Sequence, residues 1–323
     1  ATPTDERLHA GMLGANISAP TIALDEGDEF YLNVSNVGMP MRPDLFDPHS
    51  VHYHGFPNAS AIFDGLPEAS AVINQGATFT YYYNVIEPGT FMYHCHVEAT
   101  EHMQMGMLGN LYVRPKQNKL PAGTNLNGFI HQAGFKYAYN DGDGSTYYDV
   151  EVPLQLRGFD GYFHDQHLAV QPLPFALMRD TYPMINGRGY PDTVNPSALP
   201  VSADNPDPSK VSQKVHARIV ATAGQKVLLR ISNLGITRFY SVGSLGIPMK
   251  VVGKDAKLLR GPDGKDLTYK ANTVTLGGGE TADAILDTTG IAPGTYFFYT
   301  TNLNFLSNDT EELGGMMTEI VIN

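Results

Sequence analysis

The stretch PGTFMYHCH occupies residues 88–96, and a related stretch, PGTYFF, occupies residues 293–298. Each is followed by a second matching stretch, GMLGNLYV at 106–113 in the first half and GGMMTEIV at 314–321 in the second half. Matched segments that follow one another in the same order indicate an internal repeat. The sequence therefore predicts two copies of one domain along the chain.

The composition of the matched segments predicts β-strands. Upstream, NVSNVG at 33–38 corresponds to RISNLG at 230–235. The runs FYLNV, FTYYY and KVLLRI, at residues 30–34, 79–83 and 226–231, have the length and the β-branched or aromatic content of strands. With 33 Gly and 22 Pro to form turns, and without long amphipathic helical patterns, the chain is expected to be all-β.

Charge and hydropathy exclude two classes of partner. The 323 residues carry a formal net charge of −12, which repels nucleic acid and anionic membrane surfaces, so we expect no nucleic-acid partner. No run of about eighteen apolar residues is present, so we expect no membrane span. The first residues contain no apolar signal-peptide core, so the protein is either cytosolic or exported with its signal peptide already removed.

The repeat also suggests domain boundaries. We expect a first domain at residues 1–115, which ends after a strand, and a polar linker at 116–126. The second domain is then residues 127–323. Residues 136–215 are rich in Asp, Gly, Tyr and Pro, and we expect them to form loops packed on the second domain, with a separate small domain as the alternative.

Six of the eleven histidines lie in two short segments of the first domain, HSVHYH at 49–54 and HCH at 94–96 with His102 following, and the second segment contains the single cysteine. A lone histidine or cysteine in a β-domain is usually structural, but this grouping favours metal ligands. On a strand, residues two apart share a face and the residue between them faces the other way. Cys95 is therefore expected to face away from the two histidines that flank it, which separates the ligands into two sites.

The first predicted site, called here the thiolate site, contains Cys95, His49, His102 and Met107. A thiolate with two imidazoles and a weak axial thioether is the ligand set of type 1 copper. Met105 and Met107 alternate, as in a core stripe, but the position of Met107 after His102 favours it as the axial ligand. A single cysteine also excludes an intrachain disulfide.

The second predicted site, called here the histidine cluster, consists of His52, His54, His94 and His96. Four imidazoles can bind one or two copper ions, or a zinc ion, with positions left open for water or substrate. Because Cys95 lies between His94 and His96, it provides a short covalent path for electrons between the two sites.

The motif HxxHxHG at 49–55, together with HCH at 94–96, resembles the multicopper oxidases. The two-domain organisation is similar to that of small bacterial laccase-like proteins and of copper nitrite reductases. The resemblance implies two cupredoxin-like Greek-key β-sandwich domains, copper as cofactor, and a homotrimer. It also implies type 1 copper at the thiolate site and the first-domain half of a type 2/type 3 cluster at the histidine cluster. Asp64, in FDGLP, is similar to the family's aspartate after the first histidine pair and is the candidate catalytic proton carrier, with an Asp-Gly turn as the alternative.

The second repeat departs from the family, which places further histidines there. YTT at 299–301 stands where HCH stands in the first repeat, and FYSVGS at 239–244 lies near the position of 49–54. The stretch HDQH at 164–167 is expected to form a surface loop. The histidines outside the two sites, none of which easily completes the cluster, are His9, His131, His164, His167 and His216. A second departure is a longer loop between Cys95 and His102, in which Glu98 and Glu101 are expected to face solvent or to line a substrate approach.

These features predict a copper-dependent oxidoreductase. It takes electrons from a small-molecule or protein donor at type 1 copper and passes them through the HCH segment to the histidine cluster, which reduces oxygen. The alternatives are an enzyme similar to copper nitrite reductase, with nitrite as acceptor, and a blue copper electron carrier with a degenerate cluster. The resemblance implies a periplasmic or extracellular location.

Overall fold

The computed structural model describes residues 16–38, 44, 46–57, 59–167, 173–201 and 210–323. Its secondary structure is mostly β-sheet, so the prediction of an all-β chain is confirmed. Two short α-helices occur in these ranges, α1 (Ala99–Gln104) and α2 (Gly161–His167). Neither is long and apolar enough to cross a bilayer.

The first domain is a sandwich of a four-stranded sheet, in the order β1-β6-β5-β3, and a two-stranded sheet of β2 and β4. Its strands are β1 (Ile22–Asp25), β2 (Glu29–Ser35), β3 (His52–His54), β4 (Thr78–Asn84), β5 (Gly89–His94) and β6 (Leu108–Arg114). The core between the sheets is largely aromatic and includes Tyr53, Tyr81 and Phe91. Because β3 pairs antiparallel with β5 and puts His52 opposite His94, the fold brings the two histidine-rich segments together.

The second domain is a larger sandwich. Its seven-stranded sheet contains β11 (Val150–Arg157), β12 (Met184–Ile185), β16 (Lys226–Asn233), β18 (Met249–Lys254), β19 (Lys257–Leu258), β20 (Tyr269–Ala271) and β22 (Thr281–Asp287). Its five-stranded sheet contains β15 (Ile219–Ala221), β17 (Tyr240–Leu245), β21 (Thr273–Leu276), β23 (Gly294–Thr300) and β26 (Met317–Ile322). The inward-facing aliphatic side chains of both sheets form one buried cluster.

The remaining strands form two-stranded ribbons outside the two sandwiches. They are β7 (Asn125–Leu126) with β8 (Phe129–Ile130), β9 (Lys136–Tyr137) with β10 (Tyr147–Tyr148), β13 (Leu199–Pro200) with β14 (Val211–Ser212), and β24 (Ser307–Asn308) with β25 (Glu311–Glu312). The sandwich strands thus fall within residues 22–114 and 150–322. The boundaries at 115 and 127 stay a prediction.

The expectation of loops throughout residues 136–215 is wrong for β11. This strand pairs in parallel with β16 and places Val150 opposite Val227 at one end of the ladder and Leu156 opposite Asn233 at the other. Its sequence, VEVPLQLR, alternates apolar and polar residues as a strand does, but it contains a proline, which argues against a central strand.

Two asparagines show that the internal repeat is structural. The Asn36 side-chain amide donates to the carbonyls of Asp47 and Ile73, at 2.6 and 3.0 Å. The Asn233 amide donates in the same way to the carbonyls of Arg238 and Leu276, at 3.5 and 2.8 Å. This correspondence places Arg238 where Asp47 stands and, two residues on, Tyr240 where His49 stands.

Strand register extends the comparison to the other ligand positions. The Cys95 N–H donates to the Met107 carbonyl at 2.9 Å, and the Thr300 N–H donates to the Met316 carbonyl at 3.0 Å. Tyr240, Thr300 and Met316 are all fully buried. The second domain therefore fills the position of the thiolate site with core side chains.

A buried polar network joins the two domains. The Arg230 guanidinium, which is 0% exposed, donates to the Glu151 carboxylate at 2.8 Å and to the Thr90 hydroxyl of the first domain at 3.2 Å. The Asp283 carboxylate accepts from Thr90 and from Tyr139, each at 2.5 Å. Buried charges of this kind are tolerated only when they are paired, so the network fixes how the domains meet.

Candidate metal centre

The thiolate site is assembled in the first domain. The Cys95 Sγ lies 3.4 Å from the Nδ1 of His102 and 4.0 Å from the Nδ1 of His49. These three atoms all lie within 4.8 Å of one another, close enough to bind one ion. Cys95 and His102 are buried and His49 is half-buried.

Local structure explains why His102 returns to Cys95. Strand β5 ends at His94, and the Cys95 N–H still pairs with the chain leading into β6. Between them, Glu98 has a positive φ of 47° and reverses the chain into α1, on which His102 lies. The Met107 N–H donates to the His102 carbonyl at 2.9 Å, which closes the loop. The longer loop predicted between Cys95 and His102 therefore contains the helix that carries His102.

The three methionines of this loop lie in different environments. Met105 is 55% exposed and ends α1, whereas Met107 is half-buried and next to the Cys95 backbone. Met103 lines the cavity at the histidine cluster instead. Of the three, Met107 is the one whose backbone is hydrogen-bonded to Cys95, and its role as axial ligand stays a prediction.

Hydrogen bonding gives the Cys95 sulfur the character of a thiolate. Burial raises the pKa of Cys95, but hydrogen bonds from His102 and His49 outweigh it and lower that pKa to about 6. For His102, burial lowers the pKa, and the Asp47 carboxylate and Cys95 outweigh it and raise that pKa to about 10. The thiolate is the form that binds metal.

The histidine cluster lies on the opposite face. His52, His54 and His94 offer nitrogen atoms within 4.8 Å of one another. The rings of His94 and His96 stack with their centroids 5.8 Å apart, so His96 lies beside this group. His94 Nε2 is 3.5 Å from His54 Nδ1. Cys95 therefore faces away from His94 and His96, as the strand pattern predicts.

Backbone carbonyls orient two of these imidazoles. The Nδ1 of His52 donates to the Asp64 carbonyl at 2.7 Å, and the Nδ1 of His94 donates to the Cys95 carbonyl at 2.8 Å. Both rings therefore present Nε2 to the cluster. Burial lowers the pKa of His94 to about 4, which keeps this imidazole neutral and able to bind a metal ion. The Asp64 carboxylate lies 3.6 Å from His52 Nδ1, next to the cluster as expected.

The second domain covers the histidine cluster, and no histidine is among its described residues that line the cavity there. A cavity of about 330 Å³ opens between the four imidazoles and the loops at 234–236 and 278–279. Gly279 approaches so closely that a Cβ built there would lie 3.0 Å from Cε1 of His54. A second cavity of about 300 Å³ is also lined by His54, together with Asp255 and Glu280.

Asp47 and Gly279 lie at the two sites but were not predicted from the sequence. An acidic residue before Pro48 and His49 is a weak signal for Asp47, whereas nothing in the sequence links Gly279 to His54. The expectation that Glu101 faces solvent is wrong, because it is buried in α1, whereas Glu98 is exposed.

The other described histidines lie elsewhere. His131 is buried and bonds to the Tyr137 hydroxyl at 2.8 Å. His164 is not on a surface loop as expected, since it is 9% exposed in α2 and bonds to Gln104 at 3.0 Å. His216 is half-buried. His9 and the side chain of His167 lie outside the described residues.

The donor set of the thiolate site fits type 1 copper. One thiolate and two imidazole nitrogens 3.4–4.0 Å from it match a trigonal Cys-His₂ arrangement, and Met107 follows His102 by five residues. The histidine cluster offers only imidazole nitrogens, which suit copper and also zinc.

Comparison with known proteins agrees with this chemistry. Family models described as multicopper oxidase match residues 3–118 and 160–321. The multicopper oxidase MmcO of Mycobacterium tuberculosis is 39% identical over 103 residues, which are 30% of this chain and 19% of that protein. A copper-containing nitrite reductase of Neisseria meningitidis is 31% identical over 97 residues, which are 30% of this chain and 22% of that protein.

The fold comparison extends over nearly the whole chain. The blue copper oxidase from Nitrosomonas europaea superposes with a TM-score of 0.69 at 24% identity, over 95% of this chain and 77% of that one. The matched segments span less than a quarter of the length of the curated relatives named above. The cupredoxin-like fold and the expected copper cofactor are confirmed. Because the two family models together match most of its residues, the chain belongs to the multicopper oxidase family, whose members are copper-dependent oxidoreductases.

Proposed function

We propose that this protein is a laccase-like oxidase that takes electrons from a small-molecule or protein donor at the thiolate site and delivers them to oxygen at the histidine cluster. Copper bound at the two sites would supply the one-electron chemistry. In this proposal Cys95, His49, His102 and Met107 hold type 1 copper, and His52, His54, His94 and His96 hold the copper of the cluster.

One observation carries the proposal, namely the position of Cys95 between the two sites. Its sulfur lies against His102 and His49, while its backbone carbonyl accepts the hydrogen bond from His94 of the histidine cluster. A short connection between the two sites therefore runs through Cys95, partly by covalent bonds and partly by one hydrogen bond of 2.8 Å.

The remaining residues position ligands and move protons. The Asp64 backbone holds His52, and its partly exposed carboxylate can carry protons from solvent to the cluster. His94 stays neutral because it is buried. The loops of the second domain limit the open side of the cluster to a cavity of about 330 Å³, which admits small molecules such as oxygen.

Copper analysis, the visible spectrum and oxygen uptake with a phenolic donor test this proposal together. We expect a blue thiolate-to-copper band, more than one copper per chain and oxygen uptake. Cys95→Ser should abolish the band and the uptake, and Met105→Leu, at the exposed methionine, is the matched control. A blue band that survives Cys95→Ser contradicts the type 1 assignment. One copper per chain without oxygen uptake identifies an electron carrier instead.

Nitrite reduction is the second candidate. It is favoured by the grouping of only three imidazoles, those of His52, His54 and His94, within binding distance of one ion. Such a group suits a single copper with an open position for nitrite. Nitrite turnover with a reduced dye, in a protein that shows no oxygen uptake with the same donor, would favour this candidate.

Assembly as a homotrimer and a periplasmic or extracellular location complete the proposal, on the family resemblance. In a trimer, the second domain of a neighbouring subunit would face the histidine cluster. Light scattering of the purified protein measures the assembly state, and fractionation of the source cells tests the location. A monomer that retains full copper content would contradict a role for the neighbour.

A further inference from the structure

The carboxylate of Asp47 contacts both imidazoles of the thiolate site on the side away from Cys95. Its Oδ1 lies 3.0 Å from Nε2 of His102, and its Oδ2 lies 3.5 Å from Nε2 of His49. Both rings direct Nδ1 towards the sulfur. One carboxylate thus lies opposite two imidazoles whose inner nitrogens face a single metal position.

The position of Asp47 is itself fixed by the fold. Its carbonyl accepts from the buried Asn36 side chain at 2.6 Å. Two residues on, the backbone of His49 pairs in both directions with Ile73, at 3.0 and 2.7 Å. The segment that carries the carboxylate and the first imidazole is therefore held at both ends, and the carboxylate side chain is only 15% exposed.

We propose that Asp47 is a positioning residue for type 1 copper, which orients His49 and His102 and keeps the reduction potential of the copper low. A carboxylate that accepts the outer N–H of a ligating imidazole fixes its tautomer and makes the inner nitrogen a stronger donor. A stronger donor and a nearby negative charge both favour Cu(II) over Cu(I). This inference rests on the proposed type 1 site and not on which acceptor the enzyme uses.

The second domain agrees with this role for Asp47. Arg238 stands at the position that corresponds to Asp47, and buried Tyr240 and Thr300 stand at those of His49 and Cys95. The carboxylate is thus present in the repeat that has imidazoles to orient and is replaced in the repeat that has none.

Redox titration of the blue band tests the proposal. Asp47→Asn removes the charge and weakens acceptance of both N–H groups. We expect it to raise the ratio of Cu(I) to Cu(II) affinity about tenfold, which is a rise of about 59 mV for one electron. Asp47→Glu should restore most of the difference. Glu98→Gln is the matched control, because Glu98 is 61% exposed and 3.9 Å from the same nitrogen, and it should shift the potential much less.

Several results would overturn the proposal. An Asp47→Asn protein with the blue band and the wild-type potential shows that the carboxylate does not act on the copper. If Asp47→Asn and Asp47→Glu lose copper equally, the loss is not rescued by a carboxylate and the positioning role is wrong. If Glu98→Gln shifts the reduction potential as much as Asp47→Asn does, the shift reflects general charge near the copper and the positioning role is wrong. A blue band that persists in Cys95→Ser refutes the proposed type 1 site instead, independently of Asp47.

Discussion

Replacement of Gly279 by alanine tests whether the second domain shapes the histidine cluster. The added Cβ would lie 3.0 Å from Cε1 and 3.1 Å from Nε2 of His54, whereas ordinary contacts begin at 3.4 Å. The His54 ring must therefore move by about 0.4 Å, which exceeds the roughly 0.2 Å tolerance of a metal–ligand distance. We expect Gly279→Ala to lose copper from the cluster and to keep the blue band of the thiolate site.

A matched control separates this contact from backbone strain. Gly279 has a φ of +93°, and Gly76 has a φ of +79° with nothing within 4 Å of its Cβ position. Both alanine variants should lose about 1–2 kcal/mol of unfolding free energy, since both adopt the left-handed region. Copper analysis, visible absorption and chemical denaturation measure the three quantities. A Gly279→Ala protein with the copper content of Gly76→Ala would refute the reasoning, because it would show that the glycine does not limit the position of His54.

Three further predictions concern the network and the two sites. Asp283→Ala removes one of the two carboxylates that pair with buried Arg230 and takes the buried acceptor from Thr90 and Tyr139, so it should cost about 1–3 kcal/mol of unfolding free energy in a denaturant titration, whereas the exposed Glu68→Ala should cost little. In the metal-free protein, ultraviolet thiolate absorbance of Cys95 should rise with pH through an apparent pKa of about 6; a transition near the ordinary value of 9 would show that the imidazoles do not stabilise the thiolate. Asp64→Asn should reduce oxygen uptake by about 10²-fold or more if the carboxylate carries protons, with copper content unchanged; undiminished uptake assigns Asp64 to the turn.

The sequence predicted the structure best where the pattern of side chains over a few residues decides it. The alternation of side chains along a strand separated Cys95 from His94 and His96, and the structure places the sulfur and the imidazoles on opposite sides. The repeated turns at Asn36 and Asn233 likewise form the same local hydrogen bond, in which the N–H of the glycine two residues on donates to the asparagine Oδ1. These features depend on neighbours in the chain, so they can be predicted from it.

Surface and buried positions outside such patterns were predicted less well. His164 was expected on a surface loop, and Glu101 was expected to face solvent, yet both are buried. A polar side chain can be buried when the interior supplies a hydrogen-bond partner, so polarity alone does not predict exposure. His164 has such a partner in Gln104, which lies 60 residues away in the sequence.

The sequence by itself determined the all-β class, the two repeats, the family and the two groups of metal-ligand candidates. Only the tertiary structure decided what lies opposite each group, namely the Asp47 carboxylate behind His49 and His102 and the Gly279 loop against His54. The reason is physical. Strand periodicity and turn formation act over a few residues, whereas the approach of Gly279 to His54 depends on how the two sandwiches pack across the network of Arg230 and Asp283.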